Sequence, residues 1–304
     1  MKRGEITRQF YTWLTDGYNF IALFAVLILS VAMTWFVYTH MPVQVDWVLD
    51  GPPQVGVDWK GVFRPASIEL LRGRSPYTVE NFYNPPWTLL PLIPIALVSP
   101  ALGSAIMYVL NLFAFLLVML RLKSNVWLTI PFVLLSGALV NSNNGNIDGI
   151  VAIGFILPPS IGLFFILAKP QVGFVVALLW AVDAWRKGKV RGVVRIFWPV
   201  AAAYVVSFFL FGFWILNATG IVAQWWNASI WPTGIPIGLI LLIIAIWRRE
   251  IRFAIAASPF FAPYLAYHSW AFVWLGLLSL FPHNVVGRLW GKARRTIQVL
   301  TSKE

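Results

Sequence analysis

The 304-residue sequence contains no cysteine, which excludes disulfides, thiolate metal sites and cysteine nucleophiles. Charge is scarce as well: Asp, Glu, Lys and Arg make up only 11% of the chain. The three histidines, His40, His268 and His283, are too scattered to suggest a metal cluster. Walker loops, G-x-S-x-G elbows and H-E-x-x-H helices are all missing. So is a small-residue cleavage site after the first apolar run, which is therefore expected to stay in place as a helix. What fills the chain instead is apolar: 59% of residues are hydrophobic and the mean hydropathy is +0.76. That composition belongs to an integral membrane protein and excludes a large soluble domain. The formal net charge is +12. In such a chain basic residues report orientation and contact with membrane lipids, so no nucleic-acid partner is expected.

The apolar pattern predicts an all-α polytopic protein of about ten helices, several short or broken, in one integral membrane domain spanning 1–304. Residues 20–39 read as the first span and 40–84 as a long outer loop. Residues 85–195 read as core helices, 196–283 as C-terminal spans and 284–304 as a basic cytoplasmic tail. Within the loop, Phe63, Ala66 and Leu70 recur at helical spacing, so residues about 60–72 are expected as an interfacial helix. Pro85–Pro100 contains five prolines and is read as re-entrant rather than as a clean crossing. Asn141–Gly149 reads as an outer turn, and Arg186–Arg195, with five bases, as a cytoplasmic one. With both ends inside, 18 of the 23 Lys and Arg fall on the cytoplasmic side, four in the outer loop, and Lys169 alone inside an apolar run. Six of the 11 acids, Asp148 among them, fall outside. This asymmetry is what the positive-inside rule expects.

Three features stand out against the apolar background. Asp58, in the outer loop, is either a solvated acid or a general base at the membrane surface. Lys169, followed by Pro170, either snorkels to the outer interface or forms an anion site just below it. An ammonium at that depth costs roughly 2.5–3.5 kcal/mol on insertion scales, so a purpose is sought for it. The stretch Asn141–Asp148 is either an ordinary polar turn or a helix start whose N–H groups attract an anion. Weaker signals are His268, near the outer end of a span, and Trp225, Trp226 and Trp231, for which an interfacial belt is the default reading and a sugar-stacking face the alternative. Asn217-Ala218-Thr219 and Asn227-Ala228-Ser229 match glycosylation sequons.

The order of these elements resembles the polytopic GT-C glycosyltransferases. The nearest likenesses are glycosyltransferase family 87, the polyprenol-phosphate-mannose-dependent mannosyltransferases, and the catalytic subunit of GPI mannosyltransferase I. The residues that carry the resemblance are Asp58, Gly73-Arg74-Ser75-Pro76-Tyr77, Tyr83-Asn84-Pro85-Pro86, Gly145-Asn146-Ile147-Asp148 and Lys169-Pro170, together covering roughly residues 45–195. Ser258-Pro259, ahead of His268, loosely matches the family's late Ser-Pro segment. The last third of the chain matches little. The Asp-x-Asp pair of the GPI enzyme is absent, because Gly56 precedes Val57-Asp58.

The resemblance implies a hexosyltransferase moving a sugar, mannose above all, from a polyprenyl-phosphate donor to a lipid or glycan acceptor. Transfer would be inverting, on the extracytoplasmic face of a prokaryotic plasma membrane. Asp58 would be the base. Lys169, Arg74, Gly145 and Asn146 would hold the donor phosphate, and Asp148, Tyr77, Tyr83 and His268 would contact substrate. No metal or other cofactor is implied, since protein cations suffice for a phosphate leaving group. Two readings of other classes stand beside it: a transporter or flippase for a lipid-linked sugar, and a non-catalytic membrane subunit.

Overall fold

The computed structural model describes residues 17–40, 55–216, 222 and 225–281, with the side chains of the first helix from Ile28 onward. The first part of the expected outer loop (41–54), the Asn217 sequon, His283 and the tail 284–304 lie outside the described residues. The described residues are mainly helical, joined by turns, with an isolated antiparallel bridge between Asn227 and Ala266.

Helix α1 (Gly17–His40) covers the segment expected as the first span. A π-helical turn, Trp59–Phe63, leads into α2 (Arg64–Leu71), where Phe63 and Ala66 are buried as their spacing predicts. Helix α3 (Pro100–Arg121) starts on Ser99, whose side chain accepts from the Leu102 N–H, with proline at the first helical position. Then come α4 (Val126–Leu135), α5 (Gly137–Asn144), α6 (Asp148–Ile153), α7 (Pro159–Ile166) and α8 (Pro170–Phe211). Helices α9 (Ile235–Arg248), α10 (Ile251–Ala257) and α11 (Ala271–Leu278) complete the described chain.

About ten crossings are expected from hydropathy, but the structure is more broken than that. Among the described residues, α3 and α8 are long and apolar enough to cross a membrane, and a third span results if α4 and α5, bent by 47°, count as one. Proline is the physical reason. It removes an N–H and clashes with the preceding turn, so apolar runs divide into pieces. Pro158-Pro159 separate α6 from α7, whereas α4 runs on through Pro131 and parts from α5 at Ser136, whose backbone is extended. In the 85–100 segment a 3-10 stretch, Pro86–Leu92, with Pro91 inside it, gives way to a single α-turn, Ile93–Ala96.

Helix α8 is itself two arms. Lys189 has φ 50° and ψ −139°, and a Cβ on Gly192 would collide with the carbonyl oxygen of Ala184. Residues eight apart in a straight helix are about 12 Å apart, so the chain turns sharply here, within the basic Arg186–Arg195 segment. The surfaces of the two long helices also differ. The apolar stretch of α3 is 61% buried and forms the centre of the core, whereas that of α8 is 11% buried. Phe209, 89% exposed, typifies the outer face of α8. A continuous apolar face of that kind needs lipid or another apolar surface against it. Inside, edge-to-face pairs of Phe115 with Phe132 and Phe272, at 5.9 and 6.0 Å, lock α3, α4 and α11 together.

Candidate active site

Four segments distant in sequence bring polar side chains to one place in the apolar bundle. The first is the turn before Trp59. Trp59 is wholly buried, and its indole lies so close to Gly103 of α3 that a Cβ there would come within 2.5 Å of Nε1. The Gly56 N–H donates to the Asn143 carbonyl at 2.6 Å. Asp58 is thereby clamped between α3 and the end of α5.

The second segment is the Asn-rich turn. Gly145 caps α5 in a left-handed conformation, φ 66°, with space for a Cβ denied by Trp59 Cβ at 2.8 Å and Gly56 Cα at 3.2 Å. Replacing Gly145 with alanine is expected to cost about 1–3 kcal/mol from backbone strain alone. The collision with the turn that carries Asp58 adds to this, and a lowered midpoint in thermal unfolding in detergent would register it. Beyond Gly145, the Asn146 carboxamide donates through Nδ2 to Asp58 Oδ2 at 2.7 Å and accepts through Oδ1 from the Ile147 N–H at 2.8 Å.

The third segment is Lys169, 4% exposed, in the residue before the proline that opens α8. Its φ of −137° and ψ of 78° lie outside the α region, as the following proline requires. The Nζ pairs with Asp148 Oδ1 and donates to Ser269 Oγ at 2.9 Å and Asn146 Oδ1 at 3.2 Å. An ammonium has three N–H groups, and here each has a partner. The fourth segment, His268-Ser269, closes the cluster. Ser269 Oγ donates to Asp148 Oδ2 at 2.7 Å, and His268 Nε2 lies 3.7 Å from the same oxygen. His268 is 5% exposed, and its Nε2 has no hydrogen-bond partner among the described residues.

These groups face a cavity of about 1080 Å³. Asp58, Asn146, Lys169 and His268 form its polar wall, with Tyr83, Glu80 and Asn84 near by on the lining. The rest of the lining is largely aromatic and aliphatic, including Phe174, Tyr204, Trp214, Trp225 and Phe261. One side of the cavity is held by a strap at residues 225–230 laid along 262–266. The Ala228 N–H donates to the Leu265 carbonyl at 2.8 Å, and Trp226 Nε1 to the Tyr264 hydroxyl at 3.1 Å. Asn227 is fully committed to this strap. Its Nδ2 donates to the carbonyls of Val222 and Pro263, and its Oδ1 accepts from the N–H groups of Ser229 and Leu265.

Of the expected site residues, Asp58, Asn146, Lys169, Tyr83 and His268 meet in this cavity, and four others are placed elsewhere. Arg74 lies off the cavity and pairs with Glu69 at 2.5 Å, where its hydrogen-bonded guanidinium holds the carboxyl below the ordinary value. Tyr77 stacks on Trp214 at 5.4 Å behind the cavity wall and donates to the Asn84 carbonyl at 3.0 Å. Burial pushes its phenol upward. Gly145 ends a helix instead of starting one, and the N–H groups of Ile147 and Gly149 after it are taken by Asn146 Oδ1 and Asn111 Oδ1. Asp148, expected on the outer surface, is 0% exposed and serves as the counter-ion of Lys169.

Sequence reasoning missed Ser269 and Asn111. Asn111 Nδ2 donates to the Asn146 carbonyl at 2.7 Å, fixing the turn from behind. A lone Asn in the middle of α3, an otherwise apolar run, is a signal that could have found it. Compared with known proteins, the chain matches no protein-family model, no curated protein and no solved structure.

Proposed function

We propose that the protein is a membrane glycosyltransferase of GT-C type, a hexosyltransferase that moves a sugar, mannose first among candidates, from a polyprenyl-phosphate donor to a lipid or glycan acceptor. In this reading the short and broken helices form a bundle of about ten membrane-embedded segments, with the cavity opening toward the extracytoplasmic side. The observation that carries the proposal is the joining of Asp58 and Lys169 by one carboxamide at a cavity whose remaining lining is largely apolar. A lipid-linked anion needs both surfaces at once.

The acceptor hydroxyl gives its proton to Asp58 as its oxygen forms the new bond to the anomeric carbon. The bond from that carbon to the phosphate oxygen breaks on the opposite face, so the configuration inverts. The bonding electrons leave with the polyprenyl phosphate, whose added negative charge lies toward Lys169. The Lys169 charge is already matched by Asp148, so its contribution is an oriented field in a water-poor cavity and not a free cation. Its longest hydrogen bond, 3.2 Å to Asn146 Oδ1, is the one a phosphate oxygen entering from the cavity can replace. Asp58 needs no metal for this role, because the phosphate is a competent leaving group once its charge is met.

The test is incubation of the purified protein with polyprenyl-phosphate-[¹⁴C]mannose and a membrane lipid extract, alongside other polyprenyl-phosphate sugars. Radiolabel should pass to an acceptor with inverted anomeric configuration. Absence of transfer from every such donor would sink the enzyme reading.

A further inference from the structure

Far from Asp58 in sequence, three helix ends share an unusual feature. Among the described residues, four non-glycine residues have positive φ, and three of them are basic: Lys123 (63°), Lys189 (50°) and Arg249 (54°). They follow α3, interrupt α8 at its sharp turn, and cap α9. Hydrogen bonds tie these ends into one face. The Asn125 N–H, just after Lys123, donates to the Phe281 carbonyl at 3.1 Å. Arg252 Nη1 donates to the Ser279 carbonyl at 2.8 Å, and Arg186 Nη1 to the Ile246 carbonyl at 3.5 Å. The bases therefore gather at one end of the bundle.

Two corners of this face pair a cation with an exposed indole. Lys189 Nζ stands 5.9 Å from the ring centre of Trp185, which is 49% exposed. Arg248 Cζ stands 4.9 Å from that of Trp247, which is 75% exposed. The acids of the face are already engaged: Asp183 lies 3.7 Å from Arg186, and Glu250 2.5 Å from Arg252. No carboxylate among the described residues pairs with Lys189, Arg248 or Arg249. Indole settles at the boundary between hydrocarbon and headgroup, and a neighbouring cation then meets the headgroup phosphate.

We propose that this face is a docking surface for anionic phospholipid headgroups, anchored by the Trp185–Lys189 and Trp247–Arg248 corners. Charge complementarity selects the occupant. A zwitterionic headgroup offers these bases no net charge, whereas phosphatidylglycerol offers one per lipid. The inference does not depend on the transferase reading.

The experiment is native mass spectrometry of the full chain in detergent, with equimolar phosphatidylglycerol and phosphatidylcholine as probes. The wild type should retain phosphatidylglycerol preferentially. The double variant Lys189→Gln/Arg248→Gln, which removes the cation of both corners, should lose affinity about fivefold for each base removed. Arg72→Gln, at an exposed base in the segment beside the cavity, should retain the wild-type preference. Raising the salt to about 1 M, where the screening length is about 3 Å, should erase that preference in the wild type. Equal retention of the two lipids by the wild type, or an unchanged preference in the double variant, overturns the proposal.

Discussion

Asp148→Ala is expected to lower the stability of the protein by about 3–5 kcal/mol, the usual cost of removing one partner from a buried ion pair. The reason lies in what remains. Lys169 would keep Ser269 and Asn146 as partners, but its ammonium would sit in an apolar bundle without a counter-charge. Ser269 would also lose the carboxylate that accepts its hydrogen bond. Because Asp148, Lys169 and Ser269 come from three separate parts of the chain, the loss should be felt across the site. Denaturant or thermal unfolding in detergent micelles measures it. The companion variant Asp148→Leu/Lys169→Met removes both charges and should recover most of the loss, since an apolar pair of similar size replaces a buried ion pair at little cost. A single variant as stable as the wild type would mean that Lys169 finds its compensation elsewhere.

The second large effect is on chemistry. Asp58→Asn should reduce sugar transfer by about 10²–10⁴-fold, the usual contribution of a positioned general base. Donor binding should change little, because the substituted carboxamide keeps the shape and the contact with Asn146. Asn146→Ala should have a smaller effect of the same kind. It would leave Asp58 without its 2.7 Å donor and cut the bridge to Lys169, so the carboxylate would be present but loosely held. Single-turnover measurements with the radiolabelled donor separate binding from transfer. Equal transfer by wild type and Asp58→Asn would remove Asp58 from the role of base and leave the cavity as a binding site only.

Much of the site could be read from the residue types, for a simple reason. A lysine within an apolar run and a proline directly after it are both costly, and such residues are kept where the fold has a use for them. Asp58 and the Asn-rich turn were visible as polar exceptions to an apolar chain. The partner of Lys169 was not. A Gly-Asn-x-Asp stretch reads the same whether its last carboxylate faces solvent or is buried, and only the packing of His268-Ser269 against it decides. Arg74 was misplaced for a related reason. Gly73, at φ 70°, turns the chain back so that Arg74 meets Glu69 five residues earlier, a geometry that helical spacing does not foresee. Fewer long spans than expected stand among the described residues because hydropathy sees the apolar content of a segment and not the breaks within it. Whether a helix runs on through a proline, as at Pro131, or ends at one, as at Pro158-Pro159, depends on neighbours distant in sequence.

The strap along the cavity has a practical consequence for anyone producing the protein in a eukaryotic host. The nitrogen to which a glycan would be joined at Asn227 is the same Nδ2 that holds the Val222 and Pro263 carbonyls. Modification and folding compete for one atom. A sugar located at Asn227 by peptide mapping would therefore mark molecules that were modified before the strap closed, and the unmodified fraction would be the one to carry forward into assays.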